Sequence, residues 1–207
     1  MGRIEAILLA AGYSSRMGRL KPLLPIGGTT VIRRQAEVLD GLTDRTIVVT
    51  GYRGDEVEAH LSGSRVTTVR NQAFAEGMFT SVKAGILALD QEVSAFLILP
   101  VDYPLVTRSL IEDLIEEFHH SGAPVLYPSF SMRKGHPPVI SAACIPDILS
   151  YQGDAGLKGA LTPFNSEAEY FSAEDETCII DMDTPEDYNK VLALEAGLHQ
   201  RLFTAAR

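Results

Sequence analysis

An apolar run, Ala6–Ala10, passes directly into Ala11-Gly12-Tyr13-Ser14-Ser15-Arg16-Met17-Gly18-Arg19-Leu20-Lys21, a small, glycine-bearing, basic loop. In an open α/β sheet, ligands sit beyond the carboxyl ends of the strands, and a strand followed by such a loop is built for that position. From Ala6 to Ala36 there is no Asp or Glu, yet Arg16, Arg19, Lys21, Arg33 and Arg34 all fall inside, in a chain of net charge -9. Gly12 and Gly18 let backbone approach a ligand closely or turn with positive φ, so that loop N–H groups face phosphate oxygens. Arg16 and Lys21 supply the countercharge. Neither G-x-x-x-x-G-K-[ST] nor G-x-G-x-x-G occurs in this loop, which disfavours a P-loop hydrolase and a standard dinucleotide dehydrogenase.

Short β-rich apolar runs alternate with helical patterns, as in a mostly parallel sheet joined by crossover helices. Strands are expected at Ile4–Ala10, Thr46–Thr50, Val66–Arg70, Phe96–Val101, Val125–Pro128, Val139–Ser141, Tyr170–Ser172 and Cys178–Ile180. Helices are expected at Val31–Leu39, Asp55–His60, Met78–Leu89, Arg108–His119, Ala142–Leu149 and Pro185–Leu198. Thr184 before Pro185 combines an N-cap hydroxyl with proline at the first helical position. Ser129 to Pro138 is the one loosely patterned stretch. At 207 residues the chain, 1–207, reads as one domain.

Composition narrows the partners. With 45% hydrophobic and 22% charged residues the chain is ordinary for a soluble globular protein. Its acidity disfavours nucleic acid and anionic lipid over most of the surface. No apolar run approaches the roughly 18 residues of a membrane span. The strand pattern begins at once after Met1, leaving no room for a signal peptide, so a cytoplasmic location is expected. Cys144 and Cys178 lie in apolar runs without metal-like spacing and read as buried free thiols rather than a disulfide or a reactive thiol.

Acids stand where the basic loop needs partners. Asp102 ends the hydrophobic run Phe96–Val101; a Mg²⁺ bridging triphosphate oxygens would occupy it, since that metal takes one or two carboxylates plus phosphates and water. The alternative is that Asp102 caps the following turn. Asp181 and Asp183 share a face if the last strand continues, with Met182 pointing away. The alternative for Asp183 is a charge at the start of the Pro185 helix. Glu186 and Asp187 read as solvated first-turn acids. Ser81 is either a nucleotide contact or a helix-start hydroxyl, and His136 either binds an anion or carbonyl or hydrogen-bonds its own loop.

The first loop resembles L-A-[AG]-G-x-S-x-R-M-G-x-x-K, the signature of nucleotidyltransferases that finish molybdenum cofactors. The chain is similar to the molybdenum cofactor cytidylyltransferase group also at Asn71 with Glu76–Val82, at Asp102–Val106, at Gly135-His136-Pro137-Pro138, at Gly153–Gly156 and at Asp181–Tyr188. It departs at Val101, where Gly is more frequent, at Tyr103, and at Leu157-Lys158 in place of Ala-Arg. These departures lie toward the acceptor side.

The resemblance implies a three-layer, Rossmann-like, glycosyltransferase-A-like α/β fold with a mostly parallel mixed sheet. It implies transfer of CMP from CTP to the phosphate of molybdopterin, with release of pyrophosphate and Mg²⁺ as cofactor. Arg16, Lys21 and Asp102 would be catalytic, and Asp102 and Asp183 the metal ligands. The nucleotide would be held by Leu9, Ala10, Ala11, Gly12, Ser14, Ser15, Arg16, Lys21, Gly77, Ser81 and Asp102, and the acceptor by His136 and Pro137. Ala11 gives L-A-A-G rather than L-A-G-G, which within the family favours CTP over GTP. Alternative readings are a guanylyltransferase, a nucleotidyltransferase acting on a sugar or polyol phosphate, or a non-catalytic carrier that delivers the finished cofactor to a hydroxylase; a xanthine-dehydrogenase-like molybdoenzyme as partner is compatible with enzyme and carrier alike.

Overall fold

The computed structural model describes the backbone of residues 2–205 and the side chains of residues 2–197. In chain order the elements are β1 (Arg3–Ala10), β2 (Pro25–Ile26), β3 (Thr29–Thr30), α1 (Val31–Leu39), β4 (Arg45–Thr50), α2 (Gly54–Ala59), β5 (Val66–Arg70) and α3 (Met78–Leu87). There follow β6 (Val93–Pro100), α4 (Arg108–Ser121), β7 (Val125–Phe130), β8 (Arg133–Lys134), β9 (Val139–Ser141), α5 (Ile145–Ser150), α6 (Gly156–Ala160), β10 (Glu169–Ser172) and α7 (Pro185–Ala205).

The main sheet runs β10-β7-β9-β6-β1-β4-β5, with β8 paired to β7. Pairings of β1 with β4 and β6, of β4 with β5, and of β7 with β10 are parallel. β9 runs antiparallel to both β6 and β7. The sheet is thus mixed and mostly parallel, in an α/β fold of the Rossmann-like kind.

Strand periodicity makes the layers. In β1, Ile4, Ala6, Leu8 and Ala10 enter one core with Val31, Ile32 and Leu39 of α1, Ile111 and Leu114 of α4, and Val191 of α7. Ile7 and Leu9 enter the opposite core with Val82 and Ile86 of α3 and Ile148 of α5. β6 divides likewise, Leu97 and Leu99 to one side and Phe96 and Ile98 to the other. Strands covered on both faces are apolar at nearly every position, which explains the runs Ala6–Ala10 and Ala95–Leu99; the exception, Glu5 of β1, is fully buried and paired with Arg45 at 2.9 Å. Among the described residues no helix is long and apolar enough to cross a membrane.

Several boundaries differ from expectation. Cys178–Ile180 is not a strand: Glu176–Ile179 forms a 3-10 turn. Asp175 Oδ1 accepts the Thr177 N–H at 3.0 Å and its hydroxyl at 2.6 Å, and the three buried residues that follow face inward as a turn rather than alternating. Ala142–Leu149 divides into a 3-10 turn, Ala142–Cys144, and α5, with Ser141 capping the former and Pro146 in the first turn of the latter. β6 stops at Pro100, one residue before Val101, and α7 runs beyond Leu198. The loosely patterned stretch holds a hairpin, Ser129 opposite Lys134 and Phe130 opposite Arg133, whose tip places Ser131 and Met132 at φ 49° and 64°. Asp187 is not merely solvated: its carboxylate accepts the Thr184 N–H at 3.0 Å and hydroxyl at 2.7 Å, while Thr184 Oγ1 accepts the Asp187 N–H. This capping box starts α7, and the Thr184 hydroxyl bond holds the Asp187 carboxyl below the usual range.

Candidate functional site

The loops after β1, β4, β5 and β6 meet at one edge of the sheet. After β1 the chain turns through Ser14 (φ 56°) and Gly18 (φ 68°), and Ser14 O accepts the N–H groups of Met17 and Gly18 at 3.1 and 3.2 Å. Buried Met17 and Leu20 pin this turn into the core. Ser14 Oγ accepts the Lys21 N–H at 3.0 Å, and Lys21 opens a 3-10 turn with its side chain 11% exposed.

A buried ammonium needs a counterion, and two carboxylates converge on it. Lys21 Nζ lies 2.5 Å from Asp183 Oδ1 and 3.8 Å from Asp102 Oδ2. Arg16 Nη2 lies 2.8 Å from Asp183 Oδ2. Asp102 and Asp183 come together because the Met182 N–H donates to the Asp102 carbonyl at 2.8 Å, with the Met182 side chain buried. Asp181 is exposed. Burial raises the Asp102 carboxyl above its ordinary range, and nearby Lys21 opposes that rise. The turn carrying Asp102 is held from behind by Gln35, buried on α1, whose Nε2 donates to the carbonyls of Pro100 and Tyr103 at 3.2 and 3.1 Å.

An open cleft of about 310 Å³ lies over this cluster. Leu9, Ala11, Gly12, Ser14, Lys21, Gly77, Ser81 and Asp102 line it, together with Tyr13 and Phe74. Ala10 is buried in the core below; Ser15 is exposed and off the lining. Arg16 and Asp183 are joined to the cleft through Lys21 and each other. Ser81 is buried, and its hydroxyl accepts the Asn71 amide at 2.9 Å. Asn71 Oδ1 also accepts the Ala73 N–H at 2.9 Å, which fixes the loop that presents Gly77. Arg33 and Arg34 turn away: Arg33 pairs with Glu37 and the carbonyls of His60 and Ser62, and Arg34 with the Pro104 carbonyl and Glu195.

A second cavity of about 710 Å³ adjoins the first, sharing Leu9, Met78 and Pro100. Its walls include Phe79, Tyr127, Leu157 and His136, with Lys134 and Lys158 as cations. Lys134 Nζ sits 3.6 Å from the Tyr127 ring centroid. His136 Nδ1 is buried without a hydrogen-bond partner, the ring lies 4.3 Å from that of Tyr103, and burial pushes its pKa down to about 4. The imidazole is therefore neutral near pH 7 and offers a hydrogen bond, not charge. Pro137 is buried behind this wall, and Pro138 lines it.

Gln35, Tyr13, Tyr52 and Phe74 stand at or beside the cleft, although none is among the residues expected to bind. Only the aromatic residues carried a local signal, each in a loop just after a strand.

A basic, glycine-bearing turn at the carboxyl end of a central parallel strand, with a lysine set between two carboxylates, defines a nucleotide-handling transferase. Residues 6–170 match the MobA-like NTP transferase domain, and the chain belongs to that family and is a nucleotidyltransferase. It is 32% identical over 191 residues to the molybdenum cofactor cytidylyltransferase of Escherichia coli K12, covering 91% of this chain and 95% of that protein. A nucleotidyl transferase from Methanothermobacter superposes with a TM-score of 0.82 at 25% identity, over 95% of this chain and 99% of that one. Rv0371c of Mycobacterium tuberculosis H37Rv, in complex with manganese, shares the fold with a TM-score of 0.74 at 21% identity, over 92% of this chain and 98% of that one.

Proposed function

We propose that this nucleotidyltransferase moves CMP from CTP to the phosphate of molybdopterin and releases pyrophosphate. The observation that carries the reading is the convergence of Lys21, Arg16, Asp102 and Asp183 from three distant loops, with Lys21 and Asp102 on the wall of the smaller cleft and the larger cavity adjoining it. The similarity to the Escherichia coli cytidylyltransferase along nearly its whole length supports the choice of donor and acceptor, as does Ala11 on the cleft wall.

Asp102 and Asp183 suit Mg²⁺. Their oxygens already face one cation, the Lys21 ammonium, and two carboxylates completed by phosphate and water are the donor set this ion prefers. When bound there, Mg²⁺ would supply charge neutralisation on the triphosphate. Among the described residues no group of three or more His, Cys, Asp or Glu forms a metal cluster, so the phosphates and water must complete the shell.

The chain's own residues do the remainder. The acceptor phosphate is already ionised, so no strong general base is needed; one of its oxygens attacks the α-phosphorus of CTP, and the α–β P–O bond breaks as pyrophosphate departs. Catalysis then consists of alignment and neutralisation of growing negative charge. Lys21 and Arg16 exchange Asp183 for phosphate oxygens, and backbone N–H groups of the Gly12–Gly18 turn add donors. The larger cavity, with aromatic walls and two lysines, receives the acceptor, and neutral His136 offers it a hydrogen bond.

Asp102→Asn separates catalysis from carriage. It is expected to abolish formation of the cytidine-linked pterin, followed by chromatography, while leaving binding of the finished dinucleotide within a few-fold of the unaltered protein. Full turnover by this variant would remove Asp102 from the chemistry.

A further inference from the structure

Three aromatic rings stand together at the lip of the smaller cleft, one on the basic turn itself and two on the loops after the neighbouring strands. Tyr13 follows β1, Tyr52 follows β4 and Phe74 follows β5. The Tyr13 ring lies 5.0 Å from Tyr52 and 5.3 Å from Phe74, centroid to centroid, with Tyr52 and Phe74 6.5 Å apart. Tyr13 is 49% exposed and lines the cleft with Phe74, whereas Tyr52 does not.

This corner is built into the backbone. The Tyr52 N–H donates to the Ala11 carbonyl at 3.1 Å. Gly51 lets the three loops close up: a β-carbon there would come within 2.7 Å of Phe74 Cβ, 2.8 Å of Ala11 O and 2.9 Å of Ala11 Cβ. Ser14, immediately after Tyr13, is the residue whose hydroxyl fixes the Lys21 backbone, so ring and ammonium are placed by one turn.

Strand order gives the direction. Along β6-β1-β4-β5 the acid of Asp102 stands after β6, the basic turn after β1, and the aromatic corner after β1, β4 and β5. From β6 to β5 is three inter-strand steps, roughly 14 Å at about 4.8 Å each. A nucleotide whose phosphates lie at Lys21 and Asp102 has its base at the other side, against exposed aromatic faces.

We propose that Tyr13 and Phe74 form a stacking platform for the donor's base, with Tyr52 as the positioning residue behind them. Every base has a π-face, so stacking adds affinity without choosing among bases. The platform therefore strengthens CTP and GTP binding alike, and discrimination between them resides elsewhere in the cleft.

The inference rests on the nucleotidyltransferase reading, and calorimetric titration with two probes keeps the two apart. Inorganic tripolyphosphate tests the phosphate side alone; CTP adds the base. The full chain should bind CTP more tightly than tripolyphosphate in the presence of Mg²⁺. Tyr13→Ala and Phe74→Ala should each weaken CTP, and equally GTP, by about fivefold to one hundredfold, with tripolyphosphate unchanged. Tyr13→Phe should restore CTP affinity, which a mere role in folding of the loop by the phenol hydroxyl would not. Unchanged CTP affinity in both alanine variants, or equal weakening of both probes, would overturn the platform while leaving the phosphate site standing. Failure of the unaltered protein to bind either probe would overturn the nucleotide reading and the platform with it.

Discussion

Lys21 shows how one side chain can organise a site. Buried and held by its backbone at Ser14 Oγ, it faces Asp183 at 2.5 Å and Asp102 at 3.8 Å, so two acids that would repel each other are kept close by a single cation. His136 shows the opposite case, a titratable ring enclosed without a countercharge. Its pKa of about 4 lies below the ordinary value of about 6.5 that it regains on unfolding. Between those values the unfolded chain binds the extra proton, so stability is full above about pH 6.5 and falls as pH drops toward 4. The loss amounts to about 3 kcal/mol at most. Urea unfolding at pH 7 and pH 4.5 should show this difference in the unaltered protein and a smaller one in His136→Gln; an equal difference in both would place the acid sensitivity elsewhere.

At the scale of elements, the wall of the larger cavity depends on a close approach that only glycine permits. The Gly135 position faces the Cys178 carbonyl oxygen, and a β-carbon would sit 2.6 Å from it; beside it the His136 N–H donates to that same oxygen at 2.8 Å. Gly135→Ala must displace backbone, and a cost of about 1–3 kcal/mol follows from overpacking. Denaturant midpoints should register it, and KM for the acceptor should rise while CTP affinity holds. A variant that loses CTP affinity to the same degree would show that the two cavities are not independently supported. The same contact explains why Cys178–Ile180, apolar enough for a strand, forms none: the Cys178 carbonyl is taken by a loop N–H and the turn is capped by Asp175. The central strands and α1 were legible because burial on one or both faces writes itself into periodicity. The β8 hairpin, α6 and the 3-10 turns were not, because two to five residues carry no period.

Across the whole molecule, the basic turn and Asp102 come from loops legible as loops following strands, whereas Asp183 follows a 3-10 turn and precedes α7. Their joining was not legible, since it depends on the order β6-β1-β4-β5 and on the Met182 N–H bond to Asp102. Arg33 and Arg34 belonged to the same acid-free stretch as Arg16 and Lys21, yet folding sends them to Glu37 and Glu195 instead. Charge in sequence therefore overstated the positive field at the cleft. In a chain of net charge -9, two cations beside two carboxylates must attract a triphosphate against the general field, which is the reason to expect a divalent metal with the nucleotide. The most direct measurement is pyrophosphate release by the purified chain with Mg²⁺ and CTP, GTP or ATP, with and without molybdenum-loaded molybdopterin. Release that requires both CTP and the pterin is the predicted result; no release with any donor, from folded protein given a competent acceptor, would contradict it.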